Sequence, residues 1–142
     1  MKIKIKIKIK KLHPDAVIPK YAHHGDAGMD VFALDFEIKD KYVEYKTGLS
    51  FELPEGYVML VFPRSSITDR DLIMKNCVGV LDSGFRGELK LRFKKEGENI
   101  YGIGEKIAQL IIIPYPSIEF QEVEELSESS RGKGGFGSTG NK

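Results

Sequence analysis

The sequence predicts an all-β domain followed by a flexible glycine-rich tail. Three observations carry this expectation. Short runs of β-branched and aromatic residues recur between glycine and proline turns. Residues 1–11 and 88–94 alternate apolar with charged side chains, the period-two pattern of a strand with one wet face. Residues 127–141 are rich in serine and glycine and almost free of aliphatic side chains, so they cannot pack a core. Helix is expected only as one or two turns within residues 65–74. Many short strands with such turns fit a sandwich, a jelly roll or a closed barrel. A chain of 142 residues suits one domain. Its expected limits are residues 1–126, with the tail at 127–142.

In the first segment Ile3, Ile5, Ile7 and Ile9 alternate with lysines. A signal peptide needs a continuous apolar stretch after its charges, so this is a strand instead. Its lysines form a solvated face that discourages edge aggregation. Further strands are expected at residues 36–38, 42–45, 49–53 and 57–62, with Pro54-Glu55-Gly56 as the turn between the last two. In the segment 88–94, Leu89, Leu91 and Phe93 face one way and Glu88, Lys90, Arg92 and Lys94 the other. Residues 95–99 turn the chain. Residues 110–113 are a solid apolar run before Pro114, as in a strand buried on both faces. A last strand is expected at 118–123.

The formal net charge is +1, which gives no global electrostatic case for a nucleic-acid partner. Cys77 is the one cysteine, so an internal disulfide and a paired-cysteine zinc site of the deaminase type are both excluded. That usage suits the reducing cytoplasm. No apolar run approaches the ~20 residues of a membrane span.

The tail reads Arg131-Gly132-Lys133-Gly134-Gly135-Phe136-Gly137-Ser138-Thr139-Gly140. It matches a dinucleotide-binding pattern at Gly132, Gly134 and Gly137, but no helix can follow it. It also resembles a P-loop, but Ser138 stands where the lysine belongs. What survives is physical. Successive glycines let backbone N–H groups converge on an anion, and Arg131 and Lys133 add positive charge. Ser138 and Thr139 offer hydroxyls, and Phe136 offers a face for stacking on a base.

Other constellations precede the tail. Asp30 follows Gly28 at a strand start, where by itself it caps a turn. Pro63 ends a strand, and Arg64 with Ser65 and Ser66 makes a small anion site or a helix N-cap. Asp82-Ser83-Gly84 suits a hairpin turn that would expose a carboxylate able to take a proton from water. Asn76 precedes it with an amide that can read a base edge, and Phe85 follows it as a flat wall. Gln109 is a polar residue against an apolar strand, and such a group must find partners.

In order, residues 27–33, 63–66, 79–88 with Asn76 before them, 104–114 and 131–140 resemble the five motifs of the trimeric dUTPase (dUTP diphosphatase) family. The resemblance spans residues 27 to 140. It implies a distorted jelly roll or β-barrel assembling as a homotrimer with sites shared between subunits. It implies hydrolysis of dUTP to dUMP and diphosphate, limiting uracil incorporation into DNA and supplying dUMP for dTMP synthesis. Asp82 would deprotonate the water that attacks the α-phosphorus. Uracil would sit at Gly79 and Leu81, read by backbone groups and Asn76, with Phe85 against the deoxyribose. Arg64, Ser65, Ser66 and Gln109 would hold the phosphates. Arg131, Lys133, Ser138 and Thr139 would close over them while Phe136 stacks on uracil. Mg²⁺ would be held by the triphosphate and water, with Asp30 touching it through water only or pairing with Arg64.

Three positions depart from the family pattern. Phe85 replaces a tyrosine and keeps its flat face. Gly84 replaces an acidic residue and loosens the turn. Lys106 replaces an arginine and keeps only a point charge. The Asp82 turn and complete tail favour the diphosphatase over a dCTP deaminase of the same fold or a non-catalytic nucleotide sensor.

Overall fold

The computed structural model describes residues 4–142; the start of the expected N-terminal strand, including Ile3, lies outside them. Among the described residues the chain forms strands β1 (Lys8–Lys11), β2 (Met29–Phe32), β3 (Asp35–Ile38), β4 (Val43–Glu52), β5 (Tyr57–Phe62), β6 (Leu72–Met74), β7 (Gly79–Leu81), β8 (Glu88–Lys95) and β9 (Lys106–Pro114). A single 3-10 turn covers Ser65–Asp69. The strands build two antiparallel sheets, one in the order β1-β4-β8-β6 with β3 also on β4, the other β2-β9-β5-β7. The all-β jelly-roll-like architecture is as the sequence predicted.

The alternation in β8 places Leu89, Leu91 and Phe93 in the core and leaves Lys90, Arg92 and Lys94 in water. From the other sheet Val31, Met59, Val61, Ile107 and Leu110 meet them. Tyr45, Phe93 and Tyr101 pack edge to face, with centroids 5.5–6.3 Å apart, a preferred aromatic geometry. The Tyr45 hydroxyl donates to the Tyr101 carbonyl at 2.7 Å. Burial pushes that hydroxyl up to about 12, against the opposing effect of the bond. It therefore remains a donor at all physiological pH.

Several expectations are corrected. The strands expected at 42–45 and 49–53 are one strand, β4, whose register shifts between Lys46 and Ser50. Gly48 sits at that bulge with φ +71, and a Cβ there would lie 2.7 Å from Leu34. The Thr47 hydroxyl bridges the break, donating to the Leu89 carbonyl and accepting from the Leu49 N–H. The helical turn expected within 65–74 is present at Ser65–Asp69, and residues 72–74 beyond it pair with β8 as β6. Among the described residues the N-terminal strand begins at Lys8, where β4 supplies a partner. Residues 118–123 form no strand, because no ladder partner reaches them and Phe120 is 94% exposed. Of the apolar run at 110–113, only Leu110 is fully buried, and Ile113 faces solvent. The Asp82 turn is no hairpin: β7 pairs with β5 while β8 pairs with β4 and β6, so the turn carries the chain from one sheet to the other.

Glu44 is 4% exposed on β4 and accepts from Arg92 Nε at 2.8 Å, and the Arg92 guanidinium lies over the Tyr42 ring. Burial pushes its carboxyl up, but the Arg92 hydrogen bond and charge, with Lys39 and Lys90 behind, outweigh burial and hold it below the usual range. A depressed carboxylate contributes stability above its unfolded pKa and loses it as pH falls through the folded value. Glu44→Gln should therefore cost about 1 kcal/mol at pH 7, discounted for the exposure of Arg92. The Tm difference from wild type should close below about pH 4. Thermal melts at pH 7 and pH 3 check this, and an equal gap at both would contradict it.

Candidate active site

The site residues fall into three groups. The first surrounds the crossover after β7. The Phe85 N–H donates to the Asp82 carbonyl at 3.1 Å, which closes the turn. Arg86 donates to the Ser83 carbonyl at 2.6 Å and pairs with Glu52 at 3.5 Å, tying the turn to β4. A cavity of about 290 Å³ opens beside it, lined by Leu81, Asp82, Phe85, Glu88, Leu89 and Lys90 among others. That is near the lower end of ligand-pocket sizes. Glu88 is anchored there by accepting from the Gly48 N–H at 2.9 Å. Asn76 is brought close, since a Cβ on Gly79 would lie 3.6 Å from its amide nitrogen. Asp82 is exposed at the rim.

The second group forms where β2, β9 and β5 run side by side. Register places Gln109 opposite both Asp30 and Phe62, so the segment after β5 emerges beside Asp30. Asp30 pairs with Arg64 Nε at 3.0 Å through one carboxylate oxygen, and its other oxygen meets Lys106 Nζ at 3.3 Å. Arg64 Nη1 donates to Ser66 Oγ at 3.2 Å. Nε and Nη1 are thus engaged, and among the described residues Nη2 makes no hydrogen bond and can meet an anion. Gln109 donates to the Pro63 carbonyl at 3.1 Å, and its side-chain oxygen lies against Gly28, where a Cβ would come within 2.9 Å. No side chain caps the 3-10 turn, so Ser65 and Ser66 are not N-caps.

Sequence reasoning missed the support behind this cradle. The Tyr101 hydroxyl lies 3.4 Å from Ser66 Oγ, and Arg70 stacks 4.8 Å from the Tyr101 ring centre. Arg70 makes a two-pronged bond to Glu105 at 3.1 and 3.2 Å. The Gly102 N–H, and then Arg70, hold the Glu105 carboxyl below its usual range against the opposing effect of burial. Only the neighbouring positions of Glu105 and Lys106 hinted at this, because Arg70 and Tyr101 reach it by folding.

The third group is the tail. Arg131 donates to the Gly134 carbonyl at 2.9 Å, and further turns close at Ser138 and Gly140. Among the described residues, every hydrogen bond of residues 129–142 stays within that segment. Phe136 is fully exposed with φ 47, a strained setting for an aromatic residue. Arg131, Lys133, Ser138 and Thr139 are all exposed. Among the described residues no tail residue lines the cavity, no hydrogen bond joins the tail to the cradle, and no cradle residue lines the cavity.

The donor set bears on a metal. Among the described residues no three His, Cys, Asp or Glu side chains cluster to hold an ion. Both oxygens of Asp30 are already engaged by cations. The residues present thus fit a cation carried by a substrate and met through water, not one caged by protein.

A family model described as dUTPase matches residues 14–140. The chain is 43% identical to the deoxyuridine 5'-triphosphate nucleotidohydrolase of Clostridioides difficile, over 94% of this chain and 97% of that protein. It is similar to the dUTPase of Staphylococcus bacteriophage 80alpha, solved with dUPNHPP, at TM-score 0.83 and 30% identity over 96% of this chain and 99% of that one. It is also similar, at TM-score 0.71 and 25% identity over 85% of this chain and 98% of that one, to the dUTPase of phage phi11 of S. aureus, whose structure concerns a structural Mg(II) ion.

Proposed function

The chain belongs to the dUTPase family, and from that premise we propose that its three groups of residues divide one reaction, the hydrolysis of dUTP to dUMP and diphosphate. The observation that carries the reading is the exposed Asp82 carboxylate beside a cavity walled by Phe85. Asp82 accepts a proton from water as the water oxygen bonds to the α-phosphorus, and the bond from that phosphorus to the β-bridging oxygen breaks. Diphosphate leaves and dUMP remains. Uracil lies along Gly79 and Leu81, read by backbone groups and by Asn76. Phe85 covers the deoxyribose where a 2′-hydroxyl would stand.

Arg64, Ser65, Ser66 and Gln109 hold the phosphates. Asp30 and Ser66 keep the Arg64 fork in place before substrate arrives, so less ordering is needed on binding. Arg131, Lys133, Ser138 and Thr139 close on the outer phosphates, and Phe136 stacks on uracil. Mg²⁺ bound to the triphosphate would neutralise charge on the phosphate oxygens, with Asp30 reaching its water shell. Clearing dUTP in this way limits uracil incorporation into DNA and supplies dUMP for dTMP synthesis.

A homotrimer completes the site. In one chain the cavity, the cradle and the tail share no hydrogen bond among the described residues, and a cyclic assembly can bring one of each together at every interface. Ile118, Phe120 and Leu126, each at least 66% exposed between body and tail, are the kind of surface a neighbour covers. The working division is a catalytic domain at residues 1–126 and a phosphate-binding tail at 127–142. We place the enzyme in the cytoplasm, which suits its lone, unpaired Cys77.

The test is diphosphate release measured across nucleotides. dUTP should exceed UTP, dTTP and dCTP in kcat/KM by at least about 100-fold. The Phe85 wall excludes the 2′-hydroxyl, the narrow uracil seat excludes the 5-methyl, and the backbone reading excludes cytosine. Comparable turnover of UTP or dTTP would contradict the assigned pocket, and turnover of dCTP would point to a deaminase-type relative.

A further inference from the structure

Phe85 carries no hydroxyl, so no hydrogen bond of its own can fix the ring that faces the sugar. Something else must seat it. The chain on either side is fixed: Arg86 donates to the Ser83 carbonyl, and the Phe85 N–H closes the turn on Asp82. The ring itself folds back over Gly87. A Cβ placed on Gly87 would lie 2.6 Å from Phe85 Cζ, 2.9 Å from Cε1 and 3.4 Å from Cε2, and these are its three nearest atoms. Carbon atoms in contact prefer about 3.5–4.0 Å. Alanine at this position and the observed ring position are therefore incompatible.

The backbone does not require glycine here. Gly87 is absent from the residues with positive φ, so alanine can adopt its conformation. It is also exposed, so an added methyl displaces no core residue. The one demand for a bare Cα comes from the Phe85 ring.

We propose that Gly87 is a positioning residue that seats the Phe85 ring and so sets discrimination between 2′-deoxy and 2′-hydroxy nucleotides. The inference rests on the reading of Phe85 as the sugar wall. Alanine at position 87 pushes the ring off its seat, which weakens the fit to deoxyribose and opens room for a hydroxyl. The substitution leaves Asp82 and the cradle untouched.

The experiment is a double-mutant cycle read as the ratio of kcat/KM for dUTP to that for UTP. Wild type, Gly87→Ala, Phe85→Ala and the double variant are compared, with thermal melts confirming that each folds. Gly87→Ala should lower the ratio about tenfold, with KM for dUTP rising more than kcat falls. In the Phe85→Ala background, which has no ring to displace, Gly87→Ala should change nothing further. An unchanged ratio in Gly87→Ala, with Phe85→Ala showing its loss, overturns the inference alone. So does an equal effect of Gly87→Ala in both backgrounds. If Phe85→Ala itself leaves the ratio unchanged, the sugar-wall reading fails first, and the positioning role falls with it.

Discussion

Replacing Asp82 with asparagine should slow dUTP hydrolysis by ~10²–10⁴-fold, the usual cost of losing a general base. The substitution keeps size and shape and removes only the ability to take a proton. The turn should survive, because its closing hydrogen bond uses the Asp82 main-chain carbonyl and not the side chain. Affinity for a non-hydrolysable dUTP analogue should consequently stay close to wild type. In ¹⁸O-labelled water the residual activity, like the wild type, should put the label in dUMP, since water attacks the α-phosphorus. A variant hydrolysing dUTP at the wild-type rate would remove Asp82 from its role, and label in diphosphate would relocate the attack.

Ending the chain before Arg131 should lower kcat/KM by ~10²–10³-fold, because charge, stacking and closure are lost together. Phe136→Ala alone removes a stacking contact of ~1–3 kcal/mol, which corresponds to about 5- to 150-fold. The tail's hydrogen bonds are all internal, so neither change should move Tm by more than the error of a melt. This separates the tail from a structural element. Unchanged kcat and KM in both variants would leave its arginine, lysine and phenylalanine without a role. A large fall in Tm would show that the segment supports the body instead.

The sequence made the fold legible where one chain segment carries its own signal. In β8 the alternation of Leu89, Leu91 and Phe93 with charged residues gave both the strand and its buried face. β5 matched its expected bounds because Gly56 and Pro63 punctuate it on both sides. Legibility ended where structure depends on a distant partner. Strands were expected at 42–45 and 49–53 with a break between them, but β8 pairs across that break and absorbs Gly48 as a bulge. Residues 118–123 have strand composition, yet among the described residues no strand pairs with them, and composition alone supplies no ladder. A turn at Asp82 was legible, but the hairpin expected there is not formed, because its two arms join different sheets and no local pattern encodes that.

The site divides in the same way. Asp82, Phe85, Arg64 and the tail were singled out because their residue types sit in unusual local settings. Asp30 was found, but its double pairing needs Lys106, which lies on another strand and was noted only as a substitution. Tyr101 and Arg70 gave no signal, since an aromatic in a loop and an arginine near an aspartate are ordinary features. Their contacts with Ser66 and Glu105 come from long-range closure of the sheets.

In the proposed trimer a working site would combine Asp82 of one chain with the tail of another. Two inactive proteins test it, one with Asp82→Asn and an intact tail, the other with Asp82 intact but ending before Arg131. Each alone should have little activity. They are mixed by co-expression or by unfolding and refolding together, and mixed trimers are identified by mass spectrometry. If a chain lends its tail to a neighbour, about a quarter of the sites in an even random mixture hold both parts, and activity returns to a corresponding level. Mixed trimers that remain inactive would contradict the shared site, because a tail serving only its own Asp82 leaves every site in the mixture incomplete.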